Sequence, residues 1–554
     1  MSLKNEYDVI ILGGGLAGLT LSIQLKMSNP NVSILVLEKR PDDAVEAAHK
    51  VGESTVELGT HYIREVLDLK DYLDEHQLPK HGLRFFFTPE HKDDISKRVE
   101  LGPRKLLPIP SHQLDRGTFE NELINRTKAL GTEVLLGAKV TGVEINEETI
   151  HTVEFNLGEK EEKTNSRWVV DATGRASFLK RKMNFTKSVE HAANAVWFRV
   201  KGEIDVDHWS ENKKWSTFVE PGLRRLSTVH LMDKGYWVWF IPLSSGNTSV
   251  GIVADPAHHP FDSFNKYEKA MEWLKQNEPN AFTCLDKKRD DVLDFKIMKH
   301  YAHSSEKLYS TERWAITGES GLFLDPFYSP GTDFIALNNT FIADLILRDK
   351  EGEDIHLRTN VFERTHFALF DNWVPIYKDM YGLWGKTQTM VLKIFWDWAT
   401  YWGVPTLLFT NNGYTNIGVL RSLFSTEGCT GQQFGLLNAQ MQRVLLEWGD
   451  HDKSVFTDRY IDPFDVDYLK DFHKGIDESY KPRELVKKVE ENVRLLEEIA
   501  TEIFRLMSNQ IYGTSMEMKV DPYLMSLKTK PVEDQNGIVA SSNVKKDVKT
   551  MWFY

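Results

Sequence analysis

The sequence is poor in cysteine: Cys284 and Cys429 are the two in 554 residues. Two thiols cannot build a disulfide framework or a cysteine-ligated metal site, so no metal is expected. It has no basic excess either. A formal net charge of −13 excludes the phosphate-neutralising surface that nucleic acids demand. Uninterrupted apolar runs are missing too. The best candidate, MVLKIFWDWATYWGVPTLLF (390–409), contains Lys393, Asp397 and Pro405. A charge at mid-membrane costs about 2.5–3.5 kcal/mol on insertion scales, so this window is expected to be a buried or cavity-lining segment and no integral membrane span is expected. The opening residues, MSLKNEYDVIIL, lack a charged region followed by a cleavable apolar one, which predicts a cytoplasmic protein. What remains is 41% hydrophobic and 27% charged, the balance of a globular chain. Its length is several times the ~150 residues of one domain.

The first clear pattern is YDVIIL (7–12), a short apolar run suited to a parallel strand buried on both faces. It leads into GGGLAG, where Gly13, Gly15 and Gly18 fit G-x-G-x-x-G. The helix LAGLTLSIQLKMS follows and stops at Asn29-Pro30. A second strand, VSILVL (32–37), ends at Glu38, twenty residues after Gly18. This order is the βαβ dinucleotide fingerprint in its required context. The glycines let backbone approach a pyrophosphate at the positive end of the helix, and Glu38 would accept a hydrogen bond from a ribose hydroxyl. Ala17 in the first helical turn and Lys39 beside Glu38 join the candidate cofactor contacts. The fingerprint alone does not separate FAD from NAD.

Three later segments favour FAD. HQLDRGTFENEL (112–123) places Asp115 and Arg116 at the mouth of a helix; RWVVDATGR (167–175) is a strand ending in Ala172-Thr173-Gly174; RWAITGESGLFLDPFYSPGTDFIALNN (313–339) is a strand, turn, loop and helix. Together they resemble the FAD-dependent aromatic hydroxylases. That resemblance implies that Arg116 and Gly174 help hold FAD, and that Gly318-Glu319 stands where relatives carry Gly-Asp against the ribityl and pyrophosphate. No second G-x-G-x-x-G follows a strand, so NAD(P)H binds transiently or reduced flavin comes from a separate reductase.

DKGYWVWFIPL (233–243) puts Trp237 and Trp239 on one strand face, either as core packing or as a wall; the spacing does not decide. With its context it resembles the W-x-W-x-I-P motif of flavin-dependent halogenases, closer to the members acting on phenols and pyrroles. FLDPFYSPG matches that family's F-x-x-P-x-x-S-x-G through Phe323, Pro326, Ser329 and Gly331; KVGESTVELG (50–59) resembles its flavin-flanking V-G-E-S/A-T; LPKHGLRFFF (78–87) resembles the segment with its catalytic lysine. The resemblance runs through residues 5–345. It implies FAD used as FADH2, oxygen and a halide (chloride or bromide) that yield hypohalous acid, Lys80 directing that oxidant with help from Ser329, and Gly52, Glu53 and Ser54 along the flavin. The halide is expected at Gly331-Thr332, although Pro330 has no N–H to offer. Trp237 and Trp239 would bar the flavin from the substrate, with Pro326 and Tyr328 beside it. Tryptophan halogenases carry glutamate where this chain has Tyr328, so a phenolic or resorcinol-like substrate, free or bound to a carrier protein, is the expectation over an indole.

From Glu351 the pattern becomes helical and aromatic, with Trp373, Trp384, Trp396 and Trp398 as candidate cavity walls and an amphipathic helix over 483–507. The expected architecture is α/β: an FAD-binding Rossmann-type, aromatic-hydroxylase-like core over 1–350, with a mixed β-sheet substrate region at about 185–300, and a mainly helical region over 351–554. An FAD-dependent aromatic monooxygenase shares this framework and stays open as the alternative, as does an isoprenoid-type reductase.

Overall fold

The computed structural model describes residues 3–45, 50–88, 90–146, 150–426 and 428–553. The strand Glu6–Leu12 pairs in parallel with Ile34–Glu38 on one side and with Lys160–Asp171 on the other. Glu133–Leu136 extends the first edge. Lys160–Asp171 changes neighbours along its length: its first half runs antiparallel to His151–Leu157, and Val169 to Asp171 run parallel to Trp314–Ile316. Parallel strands need covering on both faces, and Val9 to Leu12 are accordingly fully buried.

A second sheet holds eight strands, in the order Lys296–Lys299, Asn194–Val200, Thr248–Ala254, Tyr236–Pro242, Thr228–Asp233, Leu83–Phe87, Val99–Leu101 and Tyr460–Ile461. Alternation along Tyr236–Pro242 divides the molecule. Trp237, Trp239 and Ile241 join the large core shared with the nucleotide-binding sheet, while Tyr236, Val238 and Phe240 face a smaller core under the helices Tyr267–Asn277 and Pro279–Asp286. Trp239 lies flat on its cross-strand partner Gly251, where a Cβ would sit 2.2 Å from the indole. A Gly251→Ala enzyme should therefore lose about 1–3 kcal/mol through overpacking, read as a lower melting temperature; an unchanged value would mean the indole moves freely.

The remaining chain is helical. His356–Tyr377, Thr387–Tyr401, buried from Thr387 to Thr400, Thr430–Gly449 and the 31-residue Pro482–Tyr512 pack on one another and add their buried residues to the large core. The C-terminal tail folds back: Ser542–Met551 is a helix, and Trp552 packs on Trp448. No described helix is long and apolar enough to cross a membrane.

Candidate active site

The loop after Glu6–Leu12 shows how the glycines work. Gly13 has φ +109° and donates its N–H to Leu37 O at 2.8 Å; a Cβ there would meet Ala172 O at 2.3 Å. A Cβ on Gly18 would meet Gly13 O at 2.1 Å, whereas one on Gly15 would meet nothing within 4 Å. Gly15 is thus open toward whatever binds at the N-terminus of Leu16–Ser28, whose first N–H groups have no intrahelical partner. Glu38 accepts the Gly14 N–H at 2.7 Å and the Arg40 N–H at 2.9 Å. Lys39 is exposed. Arg40, absent from the sequence reading, holds all three of its side-chain nitrogens buried without a hydrogen-bond partner, the unmet need of a cation for an anionic group. Ala17 supports the site by contact: its Cβ would lie 2.9 Å from a Cβ on Gly318, so Gly318, at φ +62°, lets the two turns close together.

A cavity of about 900 Å³ continues from this turn, lined by Gly52, Glu53, Ser54, Arg116, Gly318, Glu319, Trp237, Trp239, Pro326 and Ser329 among others. Arg116 opens the helix Arg116–Ala129; its guanidinium donates to Val51 O at 2.6 Å and to Glu120 at 2.5 Å, and its Nε is buried without a partner. Glu53 is paired with Arg199 at 2.6 and 2.9 Å, although burial pushes its carboxyl upward. Burial also raises Glu319, against the pull of Arg175 and Arg116. Gly174 has φ +61° and open space at its Cβ position. The open Gly15 and the unpartnered Arg40 and Arg116 nitrogens fit a cofactor with a pyrophosphate, as FAD has.

Lys80 faces a different cavity, of about 860 Å³. Its side chain is 3% exposed and its Nζ donates to Thr55 O at 2.6 Å. Burial lowers it to about 7, against the carboxylates of Glu57 and Asp333. The loop that carries it is tied at both ends: Lys80 N–H to Ser111 O at 2.8 Å, His81 N–H to Leu226 O at 3.0 Å.

Two chain segments separate the cavities, and both cross between them. Residues 51–54 line the flavin side; Thr55 supplies the carbonyl that holds Lys80, and Val56 and Glu57 line the lysine side. In the second segment Tyr328 faces the lysine, Ser329 the flavin side, Pro330 both, Gly331 and Thr332 the flavin side and Asp333 the lysine. Tyr328 and Ser329 manage the reversal with consecutive left-handed φ values of +69° and +61°, a strain of roughly 1–3 kcal/mol each that the surrounding packing must hold. Ser329 and Lys80 therefore stand on opposite sides of the partition. Trp237 and Trp239, 5.5 Å apart, line the flavin side, and Phe327 packs behind Trp237 at 5.3 Å. Gly331 and Thr332 begin the 20-residue helix Gly331–Lys350, and Thr332 Oγ1 is buried without a partner.

The helical region closes the lysine cavity. Trp373 and Trp398 line it; Trp396 is buried and donates to Asn438 at 3.0 Å, and Trp384 stacks on Phe327 at 4.6 Å. The sequence reading did not single out Asp333, Tyr401 or His230. Asp333 accepts the Gly59 N–H and the Tyr401 hydroxyl, each at 2.8 Å, and burial raises it to about 8. His230, fully buried on the flavin side between Phe85 and Trp237, is pushed down to about 3 by burial and by the charge of Lys80. Asp397 was noted only as a charge inside an apolar run; the structure pairs it with Lys393 at 2.9 Å and with the Tyr328 hydroxyl at 2.8 Å.

A Rossmann turn, a cavity beside it and a neighbouring cavity with a buried lysine are the features of an FAD-dependent enzyme. The family model of the FAD binding domain matches residues 6–252. The chain is 27% identical over 433 residues to the flavin-dependent halogenase chlA of Dictyostelium discoideum, covering 72% of this chain and 70% of that one. It is 26% identical over 388 residues to the 1H-pyrrole-2-carbonyl-[peptidyl-carrier protein] chlorinase of Pseudomonas fluorescens, covering 67% and 80%. Among solved structures, halogenase PltM superposes with a TM-score of 0.64 at 16% identity, over 88% of this chain and 97% of that one. The chain thus carries an FAD binding domain and is similar, over two thirds or more of its length, to flavin-dependent halogenases.

Proposed function

We propose that the protein halogenates an electron-rich phenolic ring with hypohalous acid that crosses from the flavin cavity to Lys80. The observation that carries this reading is the separation of the two cavities, with one buried, half-neutralised lysine on the far side. When bound, FAD supplies the oxidation of halide with oxygen, its reduced form coming from a separate reductase. Every other step belongs to the chain. The first-turn N–H groups at Gly331 and Thr332, with the free Thr332 hydroxyl, offer donors to a halide on the flavin side. Trp237 and Trp239, backed by Phe327, fill that side with rings and keep a substrate away from the flavin. Lys80 holds the oxidant by hydrogen bonding or as its halogenated amine and aims halogen at a ring in the second cavity.

Aromatic walls and Tyr328 in place of a glutamate support a phenol, whose own oxygen activates the ring. A structure of PltM, similar in fold, is described as a complex with phloroglucinol and FAD; the Pseudomonas relative's name describes a pyrrole on a carrier protein, so a tethered substrate stays within this reading. Ser329, across the partition from Lys80, assists by one neutral hydrogen bond worth about 0.5–1.5 kcal/mol. Ser329→Ala should lower the rate of bromination by no more than about tenfold; complete loss would make Ser329 essential. The reading itself is tested by mass spectrometry with FADH2, oxygen, bromide and a panel of phenols and resorcinols. A bromine isotope doublet is expected. One added oxygen without bromine would make the protein a hydroxylase.

A further inference from the structure

The lysine cavity contains two crossed tyrosine–aspartate pairs. Tyr328, at the strained turn, donates its hydroxyl to Asp397 on the helix Thr387–Tyr401 at 2.8 Å. Tyr401, four residues after Asp397 on the same helix, donates its hydroxyl back to Asp333 at 2.8 Å, five residues after Tyr328. All four side chains line the cavity. Each carboxylate is fixed from behind. Asp397 accepts Lys393 Nζ at 2.9 Å and Gln442 Nε2 at 2.7 Å, with Lys393 completed by Gln442 Oε1 at 2.8 Å. Asp333 accepts the Gly59 N–H.

The consequence follows from counting donors. A tyrosine hydroxyl has one hydrogen and two lone pairs. With both carboxylates ionised, as Asp333 is above about pH 8, both hydrogens are committed to them, so each phenolic oxygen can only accept from a ligand. Tyr328 keeps both lone pairs; Tyr401 accepts the Leu58 N–H at 3.1 Å and keeps one. Burial, reinforced by the adjacent aspartate charge, holds both hydroxyls well above the ordinary tyrosine range, so neither oxygen ionises near neutrality. Tyr377 donates to Phe327 O at 3.1 Å and Thr400 to Asp397 O at 2.9 Å, leaving those hydroxyls likewise acceptor-only.

We infer that Tyr328–Asp397 and Tyr401–Asp333 are a two-point acceptor clamp that selects a ring carrying two free hydroxyl groups and orients it before Lys80. The inference rests on the phenolic reading above and assigns the specificity to named residues. A methyl ether at either oxygen loses its hydrogen bond and leaves the tyrosine oxygen unmet; a ring carboxylate meets only acceptors at these two points. Accepting the ring's hydroxyl hydrogens also shifts electron density into the ring, which favours attack on an electrophilic halogen.

The test is calorimetric, on the FAD-loaded enzyme at pH 8.5, where Asp333 is largely ionised. Resorcinol, 3-methoxyphenol and 1,3-dimethoxybenzene are titrated into wild type, Tyr328→Phe and Tyr401→Phe; melting curves and flavin content check that the variants fold. Wild type should lose roughly tenfold in affinity per methyl group, one hydrogen bond each. Each variant should bind the diol roughly tenfold more weakly and the dimethyl ether as before, compressing the hundredfold ratio to about ten. Equal affinities of diol and diether in wild type, undetectable binding of all three included, overturn the clamp, and so does compression in neither or only one variant. The brominated product is measured separately. Its absence with an intact ratio would sink the halogenation reading and leave the clamp standing.

Discussion

A Lys80→Met enzyme is expected to load FAD and consume oxygen as wild type does, to yield no brominated product, and to melt higher than wild type at pH 6. The three outcomes share one cause. Lys80 is fully enclosed, with one carbonyl as its hydrogen-bonded partner, and burial brings it from 10.5 down to about 7. Below pH 7 both folded and unfolded chains hold the proton, and the folded state bears the whole cost of a buried ammonium, on the order of a few kcal/mol. Between pH 7 and 10.5 the unfolded chain binds the proton that the folded chain has released, so wild-type stability gains from this group as pH rises. Methionine fills a similar volume without charge. Its advantage should therefore be largest at pH 6 and fade by about pH 10. A pH-independent difference in melting temperature would refute the buried-charge account. Brominated product at wild-type yield would remove Lys80 from the chemistry. A residue that costs stability where it stands, and is tied there by its loop, is the pattern of a functional side chain.

How far the sequence could be read follows from how local each feature is. The Rossmann turn was legible because its glycines, strand, helix and Glu38 are contiguous, and each is demanded by backbone geometry. The helix beginning at Arg116 was legible for the same reason, and Asp115 caps it by accepting the Gly117 N–H at 3.1 Å. The tryptophan pair was legible as one strand face, but the strand cannot say what stands opposite; Phe327, 88 residues after Trp239, supplies the backing. The second strand is set two residues later than read, at Ile34–Glu38, because Ser33 is occupied with Asp8. Most of what shapes the lysine cavity is nonlocal. Asp397 and Tyr401 look like ordinary members of a buried helix until the turn at Tyr328 and Ser329 is brought against them. That turn demands two non-glycine residues in the left-handed region, a choice that no propensity predicts. Arg40 was passed over for Lys39 because the two are adjacent and basic; only the path of the chain after Glu38 decides which is buried.

Gly15→Val separates binding from folding at the other end of the reaction. Gly15 adopts φ −91° and ψ −171°, which any residue can, and a Cβ there meets nothing within 4 Å. Valine is a poorer helix N-cap than glycine, a cost of about 1 kcal/mol, and nothing else in the apo fold opposes it. Its branched side chain would instead stand where a pyrophosphate must approach the N-terminus of Leu16–Ser28. The variant should purify without flavin, bind added FAD at least about 100-fold more weakly, equivalent to about 2.7 kcal/mol, and melt close to the wild-type apoprotein. Gly13→Ala provides the contrast, since its Cβ would collide with Ala172 O at 2.3 Å in a left-handed conformation; it should lose apo stability and flavin together. Normal FAD affinity in Gly15→Val would show that the pyrophosphate does not sit at this helix. Equal loss of apo stability in the two variants would mean that the open space at Gly15 is needed by the fold and not by the cofactor.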